Sequence, residues 1–256
     1  MKSFELSDFT KIGPFTFVLK LENWEYAFVE SYLLTCTEFV RENPKIVLLI
    51  FCHHPHCFTL GKGLQKLANT SQHKLIDFDE SQNLIYPLYR LKRGGGLTFH
   101  YPGQVVFYPI VNLTTKKLNV HDLMIEILQM TNVVLENKFN LNNLSINKEL
   151  LGLWNNSHQK LASIGLAITR FTTYHGMALN FFDDPSMFNA LKDLNPCGLP
   201  GVVYTNVENQ VGQKLDQLDY DEFIECFTES FLSYLNNHLI TERHISSDSI
   251  NCEISF

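Results

Sequence analysis

Apolar residues recur at helical spacing in three stretches of the chain. From about Leu21 to Arg41, Trp24, Phe28 and Tyr32 follow one another at intervals of four. Beyond Asn119, which has the side chain of an N-cap, Leu123, Ile127, Met130 and Val134 form a second stripe. From about Asp219 to Leu239, Phe223, Phe227, Phe231 and Leu235 form a third. A stripe that repeats about every 3.6 residues buries one face of a helix, so three amphipathic helices are predicted.

Shorter runs rich in β-branched and aromatic residues predict strands: Phe15 to Leu19, Ile46 to Cys52, Ile85 to Leu91, Gln104 to Val111, Ile164 to Thr169 and Met177 to Phe182. The Asn-rich stretches Asn140 to Asn147 and Asn155-Asn156 read as loops. Strands and helices intermix without regular βαβ alternation. That predicts an α/β fold with a mixed sheet flanked by helices, not a doubly wound parallel sheet. No repeat, linker or shift in composition divides the 256 residues, so one domain over 1–256 is expected.

Composition narrows the function. Hydrophobic residues make up 45% and charged residues 18%, as in ordinary globular proteins. The net charge of −7 argues against wrapping nucleic acid, which needs many phosphate-neutralising cations. No stretch approaches the roughly 20 apolar residues of a membrane span. The first residues, Met1 to Asp8, lack an apolar signal core and carry early acids, so a cytoplasmic location is expected. The six cysteines, Cys36, Cys52, Cys57, Cys197, Cys226 and Cys252, are scattered and include no CxxC, which makes a disulfide framework unexpected.

Three segments carry candidate chemistry. In Arg93-Gly94-Gly95-Gly96-Leu97-Thr98-Phe99-His100-Tyr101-Pro102-Gly103-Gln104, consecutive glycines suit either a hairpin turn or close approach of backbone to a ligand. The spacings of a dinucleotide or phosphate loop are absent. In Lys160-Leu161-Ala162-Ser163-Ile164-Gly165-Leu166, a lysine opening a strand reads, on its own, as a water-facing side chain. Tyr174-His175-Gly176-Met177-Ala178-Leu179-Asn180 follows it. In Asn195-Pro196-Cys197-Gly198, a cysteine between Pro and Gly lies in a turn and is either reactive or inert there.

Together these segments resemble the octanoyltransferase family of lipoate biosynthesis, from about Trp24 to Val207. The family pattern of Arg-Gly-Gly, two residues, Thr, an aromatic, His, two residues, Gly-Gln is met in full. The resemblance implies the fold shared by biotin and lipoate protein ligases, of the class II synthetase type. It implies transfer of an octanoyl group from octanoyl-acyl carrier protein to a lysine of lipoyl domains, those of 2-oxoacid dehydrogenases and of the glycine cleavage H protein. Cys197 would be the nucleophile and Lys160 its partner. Arg93, Gly94, Gly95, Gly96, Leu97, Thr98, Phe99, His100, Ser163, Ile164, Gly165, Gly176, Met177, Ala178, His54 and His175 would surround the substrate. No cofactor and no metal are implied. An ATP-dependent lipoate–protein ligase of the same fold is the alternative. A neighbouring ammonium favours a thiolate, and a deprotonated lysine can accept a proton from an attacking amine.

Some residues depart from the family. The run Cys52-His53-His54-Pro55-His56-Cys57 has metal-site composition, but adjacent strand residues point to opposite faces, and only His54 matches the family histidine. Trp24 takes the place of a tyrosine the family often carries in its first helix. Asn206 stands where the family prefers Ser, which puts a hydrogen bond there in doubt. The segment Phe181 to Leu194 is longer than usual and reads as an enlarged loop. Lys62, Lys92, Arg93, Lys116 and Lys117 are the basic residues expected to meet an acidic carrier protein.

Overall fold

The computed structural model describes residues 4–62, 84–191 and 204–245. In chain order the elements are β1 (Thr10–Lys11), β2 (Thr16–Leu21), α1 (Tyr26–Glu42), β3 (Val47–Cys52), β4 (Cys57–Leu60), β5 (Leu88–Arg90), β6 (Leu97–His100) and β7 (Gln104–Ile110). There follow α2 (Leu113–Lys116), α3 (Val120–Phe139), β8 (Leu144–Asn147), β9 (Gly152–Asn155), β10 (Lys160–Thr169), β11 (Thr172–Asn180), α4 (Pro185–Leu191), α5 (Val207–Val211) and α6 (Gln217–Ile245).

Eight strands form one mixed sheet in the order β1-β2-β3-β7-β11-β10-β9-β8. Among the described strands of this sheet only β2 and β3 pair in parallel, and α1 makes the crossover between them. A small second sheet has the order β5-β4-β6.

Both faces of the large sheet are covered, and the period-2 alternation of its strands divides the core in two. Val47, Leu49 and Phe51 of β3, with Val105 and Phe107 of β7, join α3 and α6 on one face. Leu48, Ile50 and Cys52, with Val106, Tyr108 and Ile110, join α1 on the other. Such central strands read as continuous apolar runs, which is why β3 and β7 are legible in the sequence. The α3 stripe is buried as expected, and Asn119 caps it by accepting from the His121 N–H at 2.8 Å. The four apolar residues of the α6 stripe are buried too.

Several expectations need correction. The buried face of α1 is Tyr26, Val29, Leu33, Cys36 and Val40, with Tyr32 beside it, whereas Phe28 is 43% exposed and Trp24 precedes the helix. Leu144–Asn147, inside the expected Asn-rich loop, is strand β8, and Pro185–Leu191, inside the expected enlarged loop, is helix α4. The strand expected from Ile164 begins at Lys160, and the one expected from Met177 begins at Thr172.

Candidate active site

The cavity of interest exists because two neighbouring strands carry almost no side chains on one face. Ser163 pairs with Ala178 and Gly165 with Gly176, so the α1-side face of β10 and β11 bears a hydroxymethyl, a methyl and two hydrogens. The opposite face carries Ile164, Leu166, Met177 and Leu179, which fill the core. The missing volume is a cavity of about 380 Å³, within the range of small-molecule sites.

The glycine-rich loop closes it. The Gly94 N–H donates to the Leu166 carbonyl at 3.2 Å, and a Cβ on Gly165 would lie 2.6 Å from the Gly94 oxygen. Gly95 has φ +77°, which favours glycine. Arg93 organises the loop from beneath. Its Nη1 donates to the Gly94 carbonyl at 2.9 Å, and its Nη2 to the Thr59 carbonyl at 3.1 Å, Thr59 Oγ1 at 2.7 Å and Thr98 Oγ1 at 2.9 Å.

Lys160 is only 3% exposed, contrary to the water-facing reading of that residue alone. A register shift between Lys160 and Ala162 against β9 re-aims its side chain, as bulges do. The Lys160 ammonium donates to the Leu150 carbonyl at 3.1 Å and lies 5.2 Å from the centre of the Trp154 ring. It lines the cavity together with Leu150, Leu151 and Met124.

Aromatic and imidazole groups make another wall. The Tyr108 hydroxyl donates to His54 Nε2 at 2.9 Å, because His54 Nδ1 donates to the Trp24 carbonyl at 2.7 Å. The Tyr26 and Tyr108 hydroxyls bond each other, and the Tyr26 ring lies 5.5 Å from that of His100. Burial holds His54 neutral, lowering its pKa to about 4. Burial first, and then the Arg93 charge, lowers that of His175 to about 3. His175 is 1% exposed, has φ +57° in mid-strand, and neither ring nitrogen has a hydrogen-bond partner. An unpaired polar group on a cavity wall is capacity to bind a ligand.

The structure brings most of the expected residues together. Arg93, Gly94, Gly95, Gly96, Thr98, His100, Lys160, Ser163, Ile164, Gly165, His175, Gly176, Met177 and Ala178 line the one cavity. Leu97 and Phe99 do not: strand alternation turns them into a separate core with Phe58 and Tyr101. His54 stands behind Tyr108 and Tyr26 rather than on the wall. Cys197 lies outside the described residues. Tyr26, the first residue of α1, lines the cavity, and Trp24 does not. Asn206 does make hydrogen bonds, capping α5 through the Asn209 N–H at 2.7 Å and donating to Asp183 at 3.0 Å. Arg93 and Lys116 are buried, which removes them from the expected basic patch, whereas Lys62, Lys92 and Lys117 are exposed. The histidines of the 52–57 run diverge. His53 accepts from the Asn23 N–H at 3.2 Å, and His56 pairs with Asp184 at 3.0 Å.

Residues 24–232 match the lipoyl protein ligase A/B catalytic domain. The chain belongs to this family. Its relatives within the lipoyl protein ligase A/B family include an octanoyltransferase of Cytophaga hutchinsonii, 31% identical over 74% of this chain and 76% of that protein. Another is an octanoyltransferase of a Thermoanaerobacter species, 30% identical over 82% of this chain and 89% of that one. A chloroplastic octanoyltransferase of Arabidopsis thaliana is 31% identical over 72% of this chain, which spans only 62% of that protein. The chain is thus a transferase enzyme. Its fold is that of solved lipoate-protein ligases. An ATP-bound lipoate-protein ligase A superposes with a TM-score of 0.56 at 14% identity, covering 84% of each chain. A bipartite lipoate protein ligase from Thermoplasma acidophilum gives 0.52 at 14% identity, over 84% of this chain and 82% of that one.

Proposed function

We propose that the whole chain is one catalytic domain that transfers an octanoyl group from acyl carrier protein to a lysine of lipoyl domains. The acceptors are the lipoyl domains of 2-oxoacid dehydrogenases and the glycine cleavage H protein. The Cys197 thiolate attacks the thioester carbonyl, the Cys197–acyl bond forms, and the carrier thiolate leaves with the proton of the Lys160 ammonium, which leaves that amine neutral. The acceptor amine then attacks the enzyme thioester. An amide forms, Cys197 departs, and the amine proton passes to Lys160 acting as base. Nothing in this sequence requires ATP, a metal or a cofactor.

The observation that carries the reading is the buried Lys160 amine on the wall of an apolar cavity closed by the glycine-rich loop. Relatives named octanoyltransferases support it further. In the cavity, the acyl chain lies along the bare face of β10 and β11, and each buried CH2 contributes about 0.8 kcal/mol. The unpaired imidazole of His175 meets a polar atom of the ligand. Incubation of the purified chain with octanoyl-acyl carrier protein and a lipoyl domain, without ATP and after chelation, tests this by mass spectrometry. Octanoylated lipoyl domain is the expected product. Modification only with free octanoate and ATP would make the chain a ligase instead.

A further inference from the structure

A continuous chain of buried hydrogen bonds runs from the glycine-rich loop to the main chain of Lys160. Arg93 Nη2 donates to Thr59 Oγ1 at 2.7 Å, and Thr59 Oγ1 lies 3.0 Å from His100 Nε2. His100 Nδ1 lies 2.9 Å from Gln104 Oε1. Gln104 Nε2 donates to the Phe99 carbonyl and to Asn180 Oδ1, both at 2.9 Å. Asn180 Nδ2 donates to the Thr205 carbonyl at 2.9 Å, and the Thr205 N–H donates to the Lys160 carbonyl at 3.1 Å. Thr59, His100, Gln104, Asn180 and Thr205 are all buried.

The direction of every bond is fixed by its ends. The Phe99 carbonyl only accepts, so Gln104 gives it Nε2 and receives the His100 Nδ1 proton on Oε1. A neutral imidazole protonated on Nδ1 accepts at Nε2, so the Thr59 hydroxyl donates there. The Phe99 and Thr205 carbonyls only accept, which sets both carboxamides. His100 is thus a neutral imidazole with both nitrogens committed. Burial, the first cause, holds its pKa well below the ordinary value. It shapes the cavity wall, and both of its ring nitrogens are taken by the network.

The last link touches the reaction. The Thr205 backbone is held at both ends, its carbonyl accepting from Asn180 and its N–H donating to the Lys160 carbonyl, and Tyr204 bridges to Lys160 in parallel. Thr205 also follows Cys197 by eight residues in the sequence. We propose that Asn180 is a positioning residue for acyl transfer, because its carboxamide seats the Thr205 peptide against Lys160 and ties both to the glycine-rich loop. This rests on Lys160 being a reacting group in the proposed function. Asn180 itself does not line the acyl cavity.

The test is steady-state octanoyl transfer by Asn180→Asp and Asn180→Ala, with thermal melting of each. The aspartate is nearly isosteric but sets an oxygen against the Thr205 carbonyl. Both variants should melt cooperatively. Their KM for octanoyl-acyl carrier protein should stay within about twofold, since the cavity is untouched. Their kcat should fall on the order of 100-fold, the usual cost of roughly 1 Å of misplacement. A wild-type chain that transfers and an Asn180→Asp chain that matches its kcat would overturn the positioning role alone. A rise in KM with unchanged kcat would overturn it too, and assign Asn180 to binding. A wild-type chain that transfers nothing would sink the function and this role with it.

Discussion

Gly152 makes room for Lys160: a Cβ at that position would lie 2.5 Å from Lys160 Cε and 3.2 Å from its Nζ. The same Cβ would also press on the Ala162 carbonyl. The empty side of β9 is therefore what allows the lysine to lie in the cavity wall and reach the Leu150 carbonyl.

Gly152→Ala should displace the lysine and strain the β9–β10 pairing. Overpacking of this kind costs about 1–3 kcal/mol. Gly13→Ala is the control, because its Cβ would meet only ordinary contacts at 3.6 Å and beyond. Denaturant titration and octanoyl transfer, measured on both variants, should show losses for Gly152→Ala and none for Gly13→Ala.

Acid should destabilise the fold through its buried histidines. His54, His100 and His175 all have folded-state pKa values below the ordinary one. Between pH 6.5 and the folded pKa, the unfolded chain binds more protons, so stability is full above about pH 6.5 and is lost as pH falls toward 4. For His54, with a folded pKa of about 4, the loss amounts to roughly 3 kcal/mol. Melting curves from pH 8 to pH 4 should fall across this window. A His54→Gln variant, less stable at neutral pH, should show a shallower fall; an equally steep one would remove His54 from the account.

Chain length should be read through the cavity. Losing two CH2 groups from the octanoyl donor removes about 1.6 kcal/mol, or roughly 15-fold in kcat/KM. A comparison of hexanoyl and octanoyl carrier thioesters checks this, and equal values would mean that the acyl chain does not enter the cavity.

The sequence displays most clearly what burial of a single face writes into it. The α3 and α6 stripes are of that kind, while the continuous apolar runs of β3 and β7 record burial of both faces. The phase of α1 is obscured because Trp24, ahead of the helix, imitates the aromatic spacing of Phe28 and Tyr32. Four-residue strands such as β6 and β9 are too short for alternation to stand out against Gly and polar residues. Lys160 illustrates a deeper limit. A strand-opening lysine reads as solvent-facing, and only the register shift and the bare Gly152 turn it inward. The Gln104–Asn180 bond joins residues 76 apart in the chain, and no local pattern announces it. The motif resemblance nonetheless located the cavity, since the small residues Ser163, Gly165, Gly176 and Ala178 are both the motif and the empty volume.

The central claim is a covalent octanoyl–Cys197 intermediate, and peptide mapping after incubation with octanoyl-acyl carrier protein alone tests it most directly. Burial raises the Cys36, Cys52 and Cys57 thiols, that of Cys57 to about 12, so these remain protonated and cannot compete as nucleophiles. The account predicts an octanoyl increment on the peptide carrying Cys197, lost in Cys197→Ala together with transfer. An unmodified Cys197 in a chain that still octanoylates lipoyl domains, or a Cys197→Ala chain with full transfer, would contradict it.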